Sequence, residues 1–143
     1  TNQEVLAEER DGVGIGKVGL LKEAVTLAEL ADKVKKVFEV SYVQVAGDLE
    51  KTVNRIAVSP GSGHDFTKDA IRKGAQVLIT GDMGHHAVID AVAQGLMVID
   101  AGHFGTENFM KKNLAMHLKS REEIKQSSIE IVLANEKAPM VVR

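Results

Sequence analysis

Apolar residues occur in two kinds of segment that follow each other along the chain: short continuous runs, and stretches with apolar residues at helical spacing. Three runs have the length and composition of buried strands, and they lie at 55–59, 76–80 and 96–99. Each run is followed or preceded by apolar residues at helical spacing, which predicts helices at about 66–73, 85–94 and 106–119. An earlier helix is predicted to begin at Thr26, because Thr26 and Glu29 have the spacing of a capping box.

The remaining segments complete an alternation of strands and helices. Short strands are predicted at 42–46 and 128–134, and an edge strand or tail at 138–143. Residues 1–10 are interpreted as a lead-in or linker, frayed or helical. Strands separated by helices of this length predict an α/β fold of three layers, a mostly parallel sheet with helices on both faces. The whole chain, 1–143, is then a single α/β lobe.

A glycine-rich stretch at 11–21 superficially suggests a dinucleotide-binding loop. Its glycines do not have the G-x-G-x-x-G spacing, no strand precedes them, and no helix opens directly from them. We therefore interpret the stretch as extended, closely packed backbone. A dinucleotide-binding domain is correspondingly disfavoured.

Composition narrows the classes of function. Aromatic residues make up only 3% of the 143 residues and the net charge is −2, so nucleic acid is an unlikely partner. The absence of cysteine excludes disulfides, thiolate zinc sites and a cysteine nucleophile. No apolar run reaches the length of a membrane span, and the polar, acidic first residues differ from a signal peptide, so a cytoplasmic location is expected. Because no methionine begins it, the chain is expected to be a fragment or a processed product.

Polar residues concentrate where the three predicted buried strands end. The carboxyl ends of parallel strands meet at one edge of a sheet, where ligands of open α/β sheets bind. The segments after these strands are 60–64, 81–86 and 100–107, and they contain four of the five histidines. This edge is therefore the predicted functional site.

His103 and Glu107 are the strongest candidates for chemistry at this edge. They are four residues apart, just before and within the first turn of a helix predicted to begin at Thr106. An imidazole and a carboxylate directed at one point suit Zn, Mn, Fe or Co. The alternative is that Glu107 complements the helix dipole and His103 fills the turn.

Other polar residues at the edge have two interpretations each. Asp82 is predicted to orient an imidazole, and Asp100 either does the same or forms the turn. His85 and His86 are adjacent, so at most one of them, His86, is expected to line the cleft. The alternative, which is favoured, is that the pair only caps and packs the start of a helix. The turn Gly61-Ser62-Gly63 is either part of the cleft lining or a plain connection.

Two ligands are too few for a catalytic metal, which needs three protein ligands and a water. Either the site holds no metal, or its other ligands come from another chain or from a segment that is absent here.

The motifs at the strand ends resemble those of the Nif-three-like family, whose members are also called GTP cyclohydrolase I type two homologues. The resemblance extends over about residues 11–133 and depends on the following pieces: Gly14-Ile15-Gly16-Lys17-Val18-Gly19, Gly61-Ser62-Gly63, Lys73-Gly74-Ala75, Leu78-Ile79-Thr80-Gly81-Asp82, His86 with Asp90-Ala91, and Asp100-Ala101-Gly102-His103 with Thr106-Glu107. The last piece matches the family motif G-H-x-x-T-E.

The resemblance implies a protein of two similar lobes with a pair of divalent metal ions (Zn, Mn, Fe, Co or Mg) in the cleft between them. His103 and Glu107 would be the ligands from the carboxyl-terminal lobe, which this chain matches. A His-His pair and an Asp would come from the amino-terminal lobe, which this chain lacks. Family members are often toroidal homo-oligomers, so this chain is expected to be incomplete and inactive alone, with the missing lobe and further copies as partners.

Two functions remain open from the sequence. The first is a lobe of a dinuclear metal hydrolase, similar to a cyclohydrolase, that acts on a small molecule. The second is a non-enzymatic module for assembly or partner binding, with a structural metal. The residues do not identify the substrate or the metal.

Overall fold

The computed structural model describes residues 3–11 and 13–140. The strands are β1 Gln3–Arg10, β2 Val13–Thr26, β3 Gln44–Ala46, β4 Thr52–Ser62, β5 Val77–Gly81 and β6 Met97–Asp100. The helices are α1 Leu27–Phe38, α2 Thr67–Arg72, α3 His85–Ala93, α4 His103–Asn108, α5 Met110–Ser120 and α6 Glu122–Lys125, and a 3₁₀ turn, His64–Phe66, precedes α2.

The six strands form one mixed sheet in the order β1-β2-β4-β5-β6-β3. Strands β4, β5 and β6 are parallel and are joined through α2 and α3, as the alternation of strands and helices predicts. The pairs β1–β2, β2–β4 and β3–β6 are antiparallel. The α/β class is thus confirmed, and the prediction of a mostly parallel sheet holds only for its centre. A short connection such as the one between β1 and β2 permits only antiparallel pairing.

Alternate residues of the central strands pack against helices on opposite faces of the sheet. On one face α1 buries an apolar stripe against β5 and β6, and the cluster includes Leu27, Leu30, Val34, Val77, Ile79 and Ile99. On the other face α2 and α3 cover a second cluster, which includes Ala70, Leu78, Ala91, Leu96 and Val98. This arrangement confirms the three layers. Each fully buried leucine contributes about 1.5–3 kcal/mol relative to an exposed one.

Helix α1 begins where its capping box predicts. The Thr26 hydroxyl accepts a hydrogen bond from the Glu29 backbone N–H at 3.2 Å, and the Glu29 carboxylate accepts one from the Thr26 N–H at 2.8 Å. This backbone hydrogen bond lowers the pKa of the Glu29 carboxyl below its usual value. The local sequence therefore determines where this helix starts.

The lead-in predicted for residues 1–10 is wrong over residues 3–10, which form β1, and residues 1 and 2 lie outside the described residues. Strand β1 pairs with β2 and buries Val5, Leu6 and Ala7. Glu4 accepts a hydrogen bond from Lys73, which lowers the pKa of its carboxyl. The alternation in this segment is short and is flanked by charged residues, so the sequence pattern alone does not distinguish it from a linker.

The predicted strand at 128–134 is also wrong, because these residues form no regular element. Ile129 is 59% exposed and Val132 is 75% exposed. Residues 138–140 likewise form no strand, and residues 141–143 lie outside the described residues. A strand requires a neighbour for its backbone hydrogen bonds, and this segment pairs with neither edge of the described sheet.

None of the helices in the described ranges is both long enough and apolar enough to cross a bilayer.

Candidate metal centre

The ends of β4, β5 and β6 meet at one edge of the sheet, as predicted from their parallel order. Strand β4 continues to Ser62, so the small residues 61–62 belong to the strand and not to a turn after it. An added Cβ at Gly81 would lie 2.5 Å from the backbone of Gly102 and 2.6 Å from that of His103. Glycine at position 81 therefore lets the start of α4 pack directly on the end of β5.

Helix α4 begins at His103, three residues before the predicted start at Thr106. Gly102 precedes it with a φ of +73°, a conformation that glycine adopts without strain. The helix is interrupted at Phe109 before α5 begins. The earlier start places His103 and Glu107 one turn apart on one helix, so that they face the same point.

The two predicted ligands are in contact with each other. The Nε2 atom of His103 lies 3.3 Å from Oε1 of Glu107, and both side chains are about half exposed. The other ring nitrogen, Nδ1, lies 3.0 Å from a carboxylate oxygen of Asp82. Asp82 thus contacts the imidazole of His103, and its role in orienting that ring for a metal stays a prediction.

Gly61 lies against this pair from the neighbouring strand. Its φ is +64°, and an added Cβ would meet Oε1 of Glu107 at 2.7 Å and Nε2 of His103 at 3.3 Å. Its backbone N–H donates to the hydroxyl of Thr106 at 3.0 Å, and its carbonyl accepts from the hydroxyl of Thr80 at 3.1 Å. Two buried threonines therefore hold Gly61 in place beside His103 and Glu107.

Thr80 and Thr106 were not among the predicted site residues. Thr106 is 1% exposed, and its hydroxyl can also donate to the carbonyls of Gly102 or His103. The sequence signal for Thr106 is its position inside the motif G-H-x-x-T-E. Thr80 ends an apolar strand, and the pattern alone gives no reason to distinguish it from a core residue.

Asp100 joins the two turns next to the site. One of its carboxylate oxygens accepts from the Met83 N–H at 2.7 Å, and the other accepts from the Gly102 N–H at 2.8 Å. Of the two interpretations of Asp100, these bonds support the turn-forming one. The carboxylate connects the β5–α3 turn with the β6–α4 turn, and each such charge-assisted bond stabilises by about 1.5–3 kcal/mol.

The remaining predicted residues are more peripheral. The Ser62 hydroxyl lies 2.9 Å from Nδ1 of His64, and Gly63 is buried against Thr80. His86 is exposed at the start of α3, and its ring meets that of His85 edge-on at 5.5 Å. In the part of the chain that the structure describes, the polar contacts of His103 and Glu107 do not include His86.

Within residues 3–11 and 13–140, no group of three or more His, Asp or Glu side chains is arranged to hold a metal ion. His103 and Glu107 therefore form at most part of a coordination sphere. A groove of about 1240 Å³ opens beside them, and its walls include Phe38, Leu114 and Leu133.

The sequence matches the family model described as Duf34/NIF3 (NGG1p interacting factor 3) over residues 1–139. The chain belongs to the NIF3 family. A NIF3 relative from Halalkalibacterium halodurans, named GTP cyclohydrolase 1 type 2 homolog, is 38% identical over 130 residues, which are 91% of this chain and 35% of the relative. A relative of the same name from Clostridium acetobutylicum is 42% identical over 106 residues, 72% of this chain and 40% of the relative.

A crystal structure of a Bacillus cereus protein related to NIF3 has the same fold, with a TM-score of 0.85 and 34% identity. The match covers 90% of this chain and 36% of that one. The NIF3 chain described here thus spans 32–46% of the length of the curated relatives reported for it.

Proposed function

We propose that this chain supplies half of a divalent-metal site in a NIF3-family hydrolase. The observation that carries the proposal is the convergence of His103 Nε2 and Glu107 Oε1, 3.3 Å apart, at the edge of the sheet. The names of the relatives, GTP cyclohydrolase 1 type 2 homolog, are consistent with a hydrolytic role.

The donor set fits a divalent cation. When Nδ1 of His103 donates its hydrogen to Asp82, the neutral ring presents a lone pair on Nε2. That lone pair then faces the Glu107 carboxylate, and two electron-rich atoms at this distance repel each other. A cation between them would convert the repulsion into two coordination bonds. Zn, Mn, Fe and Co all accept this pair of ligands, and Mg is less favoured because it prefers oxygen.

A bound divalent ion would lower the pKa of a coordinated water and polarise the electrophilic atom of a substrate. The residues of this chain would hold and orient that ion. Glu107 supplies charge, Asp82 fixes the ring of His103, and Gly61 leaves the ligands room. The groove beside them has space for a small-molecule substrate.

The remaining ligands are proposed to come from outside this chain. The relatives are more than twice as long as the matched segment, which is consistent with a second lobe that completes the site. We further propose that the complete protein is a homo-oligomer and that this lobe alone is inactive.

The test is the metal content of the protein expressed from its complete gene. Replacing His103→Ala together with Glu107→Ala is expected to lower the bound metal per chain by at least half, measured by elemental analysis after dialysis. The matched control is His117→Ala with Glu123→Ala, since both residues are exposed and lie away from the sheet edge. Unchanged metal content in a folded His103/Glu107 variant would refute the proposal.

A non-enzymatic assembly module is the second candidate, and one feature favours it. Helix α5 exposes large apolar side chains, with Met110 at 56%, Leu114 at 48% and Met116 at 62%. Met110 and Leu114 lie one turn apart on one face of the helix, and exposed apolar side chains of this kind are typical of a surface that another chain or lobe covers. If the complete protein hydrolyses no nucleotide or phosphoester with added Mn or Zn, while its oligomer dissociates on chelation, the second candidate is favoured.

A further inference from the structure

Residues 128–134 have the composition of a β-strand, although they form no regular element within one copy of the chain. Their sequence, SIEIVLA, is rich in β-branched and apolar residues, carries one charge and contains no proline. Short exposed segments of this composition readily pair with another strand. Neither apolar cluster of the described core includes a residue of this segment. The segment can therefore pair without any loss of core packing.

The backbone of the segment is almost unpaired. In the part of the chain that the structure describes, the Ile129 N–H donates to the Ser127 hydroxyl at 3.2 Å, and the Ala134 carbonyl accepts from Lys111 at 3.1 Å. No other hydrogen bond of the segment is formed with a described residue. The bond from Lys111 fixes the end of the segment beside α5. The N–H and C=O groups between these two contacts remain free for a strand partner.

The segment and α5 together present apolar side chains to solvent. Val132 and Leu133 are exposed, and Ile131 and Leu133 line the same groove as Leu114 of α5. An exposed strand with unpaired backbone and apolar side chains promotes aggregation unless another strand or element covers it. A partner that supplies a strand would satisfy the backbone and cover these side chains at once.

The free edges of the described sheet are poor partners for this segment. Strand β3 at one edge has only 3 residues. Strand β1 at the other edge has an irregular register between Ala7 and Arg10, where Glu8 has a φ of +53°. A bulge with a charged side chain protects an edge against the addition of a strand. Neither edge therefore matches the length and regular alternation of the segment.

The segment is, in contrast, complementary to a second copy of itself. In an antiparallel pair centred on Ile131, Ile131 faces its own counterpart and Ile129 faces Leu133 of the second copy. These apolar side chains then share one face of the pair. Each Glu130 faces Val132, so the two carboxylates do not oppose each other. A register centred on Glu130 would place like charges directly opposite and is disfavoured.

We propose that residues 128–134 form a two-fold interface, in which two copies of this chain pair their segments as antiparallel strands about Ile131. Such a contact buries the same patch on both copies and closes the pair, so it does not lead to open filaments. The inference rests on the homo-oligomer proposed above and names an interface for it. It does not depend on the metal site or on hydrolysis.

The test is disulfide cross-linking of the protein expressed from its complete gene, with any cysteine outside residues 1–143 replaced by serine. Residues 1–143 contain no cysteine, so an introduced thiol has no competitor. At the centre of the pair the two Cα atoms of residue 131 would lie about 4.5–5.5 Å apart, within the range of about 4.4–6.8 Å that a disulfide spans. After mild oxidation, Ile131→Cys should therefore shift from the mass of one chain to that of two on a non-reducing gel.

Three control variants fix the register. Ile129→Cys alone should keep the mass of one chain, because the two copies of residue 129 would be offset by about 14 Å along the strands. Ile129→Cys combined with Leu133→Cys should form the linked dimer, since these positions face each other in the pair. Ile89→Cys places a thiol on a half-exposed residue of α3 and measures cross-linking by chance collision. Thermal unfolding under reducing conditions checks that each variant is folded.

The outcomes separate the interface from the oligomer. If the protein is oligomeric and Ile131→Cys cross-links no more than Ile89→Cys, the strand pairing is overturned, while the oligomer and the metal site stand. If the wild-type protein sediments as a single chain, the homo-oligomer and this interface are both contradicted, and the metal-content test of the hydrolytic site is unaffected.

Discussion

Gly61 provides the sharpest test of the site geometry, because its substitution separates backbone strain from crowding of the ligands. Gly61→Ala puts a side chain on a residue with a φ of +64°, which costs about 1–2 kcal/mol for an L-residue. Gly74→Ala is the matched control, since Gly74 has a φ of +68° and its added Cβ would meet only Arg55, at 3.8 Å. Both variants should therefore lose a similar amount of stability. For a chain of this size that loss lowers Tm by about 2–8 °C.

The two variants should differ in metal binding. At Gly61 the new methyl would lie 2.7 Å from Oε1 of Glu107. An ordinary contact is roughly 3.5 Å, so the carboxylate must retreat by about 0.8 Å. That displacement exceeds the tolerance of about 0.5 Å for a functional constellation. Disturbing a ligand in this way is expected to weaken metal binding by about 10–100-fold, or roughly 1.4–2.8 kcal/mol.

The assay is a competition titration of Zn²⁺ or Mn²⁺ against a chromophoric chelator, on the protein expressed from its complete gene, with thermal unfolding recorded on the same samples. Gly74→Ala should bind metal as the wild type does, and Gly61→Ala should bind it more weakly. Equal affinities in the two glycine variants would refute the idea that Gly61 keeps space for Glu107 and His103.

Three other predictions concern the surroundings of the site and the fold. Asp82→Asn should keep the fold, because the Asp82 side chain is about half exposed. The same titration should show metal binding weakened by about 10–100-fold, since the carboxylate beside Nδ1 of His103 is lost. Asp65→Asn is the control variant. Thr106→Val should lower the free energy of unfolding by about 1–3 kcal/mol in urea, because the Gly61 N–H loses its buried acceptor, while Thr106→Ser should lose much less. Glu29→Gln tests the capping box: the pKa of Glu29 is lowered in the fold, so its ionised form stabilises the protein above its usual pKa of 4.5 and this contribution disappears as the pH falls through the lowered value. The Tm difference between wild type and Glu29→Gln should thus be present at pH 7 and shrink as the pH falls below 4.5, and a difference that is independent of pH would contradict this account.

Much of this fold could be predicted from local sequence. The start of α1 follows from Thr26 and Glu29, and the central strands follow from continuous apolar runs, because capping and burial depend on residues that are close in sequence. The edge of the sheet that carries His103 could also be predicted, since helices between strands impose parallel order.

The outer parts of the lobe could not be predicted in this way. Residues 3–10 form a strand because β2 offers them a partner, and residues 128–134 remain irregular because no described strand does. Pairing with a neighbour distant in sequence decides both cases, and the alternation within a segment does not reveal whether that neighbour exists.

The candidate site, like the fold, has features that the sequence predicts and features that it does not. The sequence by itself predicted His103 and Glu107 as candidate ligands, since their residue types and spacing depend on a single helix turn. Only the tertiary structure decided that α4 begins at His103, that Asp82 holds Nδ1, and that Gly61 lies within contact of both ligands. These contacts join three strand ends that are far apart in the chain, so they exist only once the sheet has assembled and the backbone of Gly61 packs against His103 and Glu107.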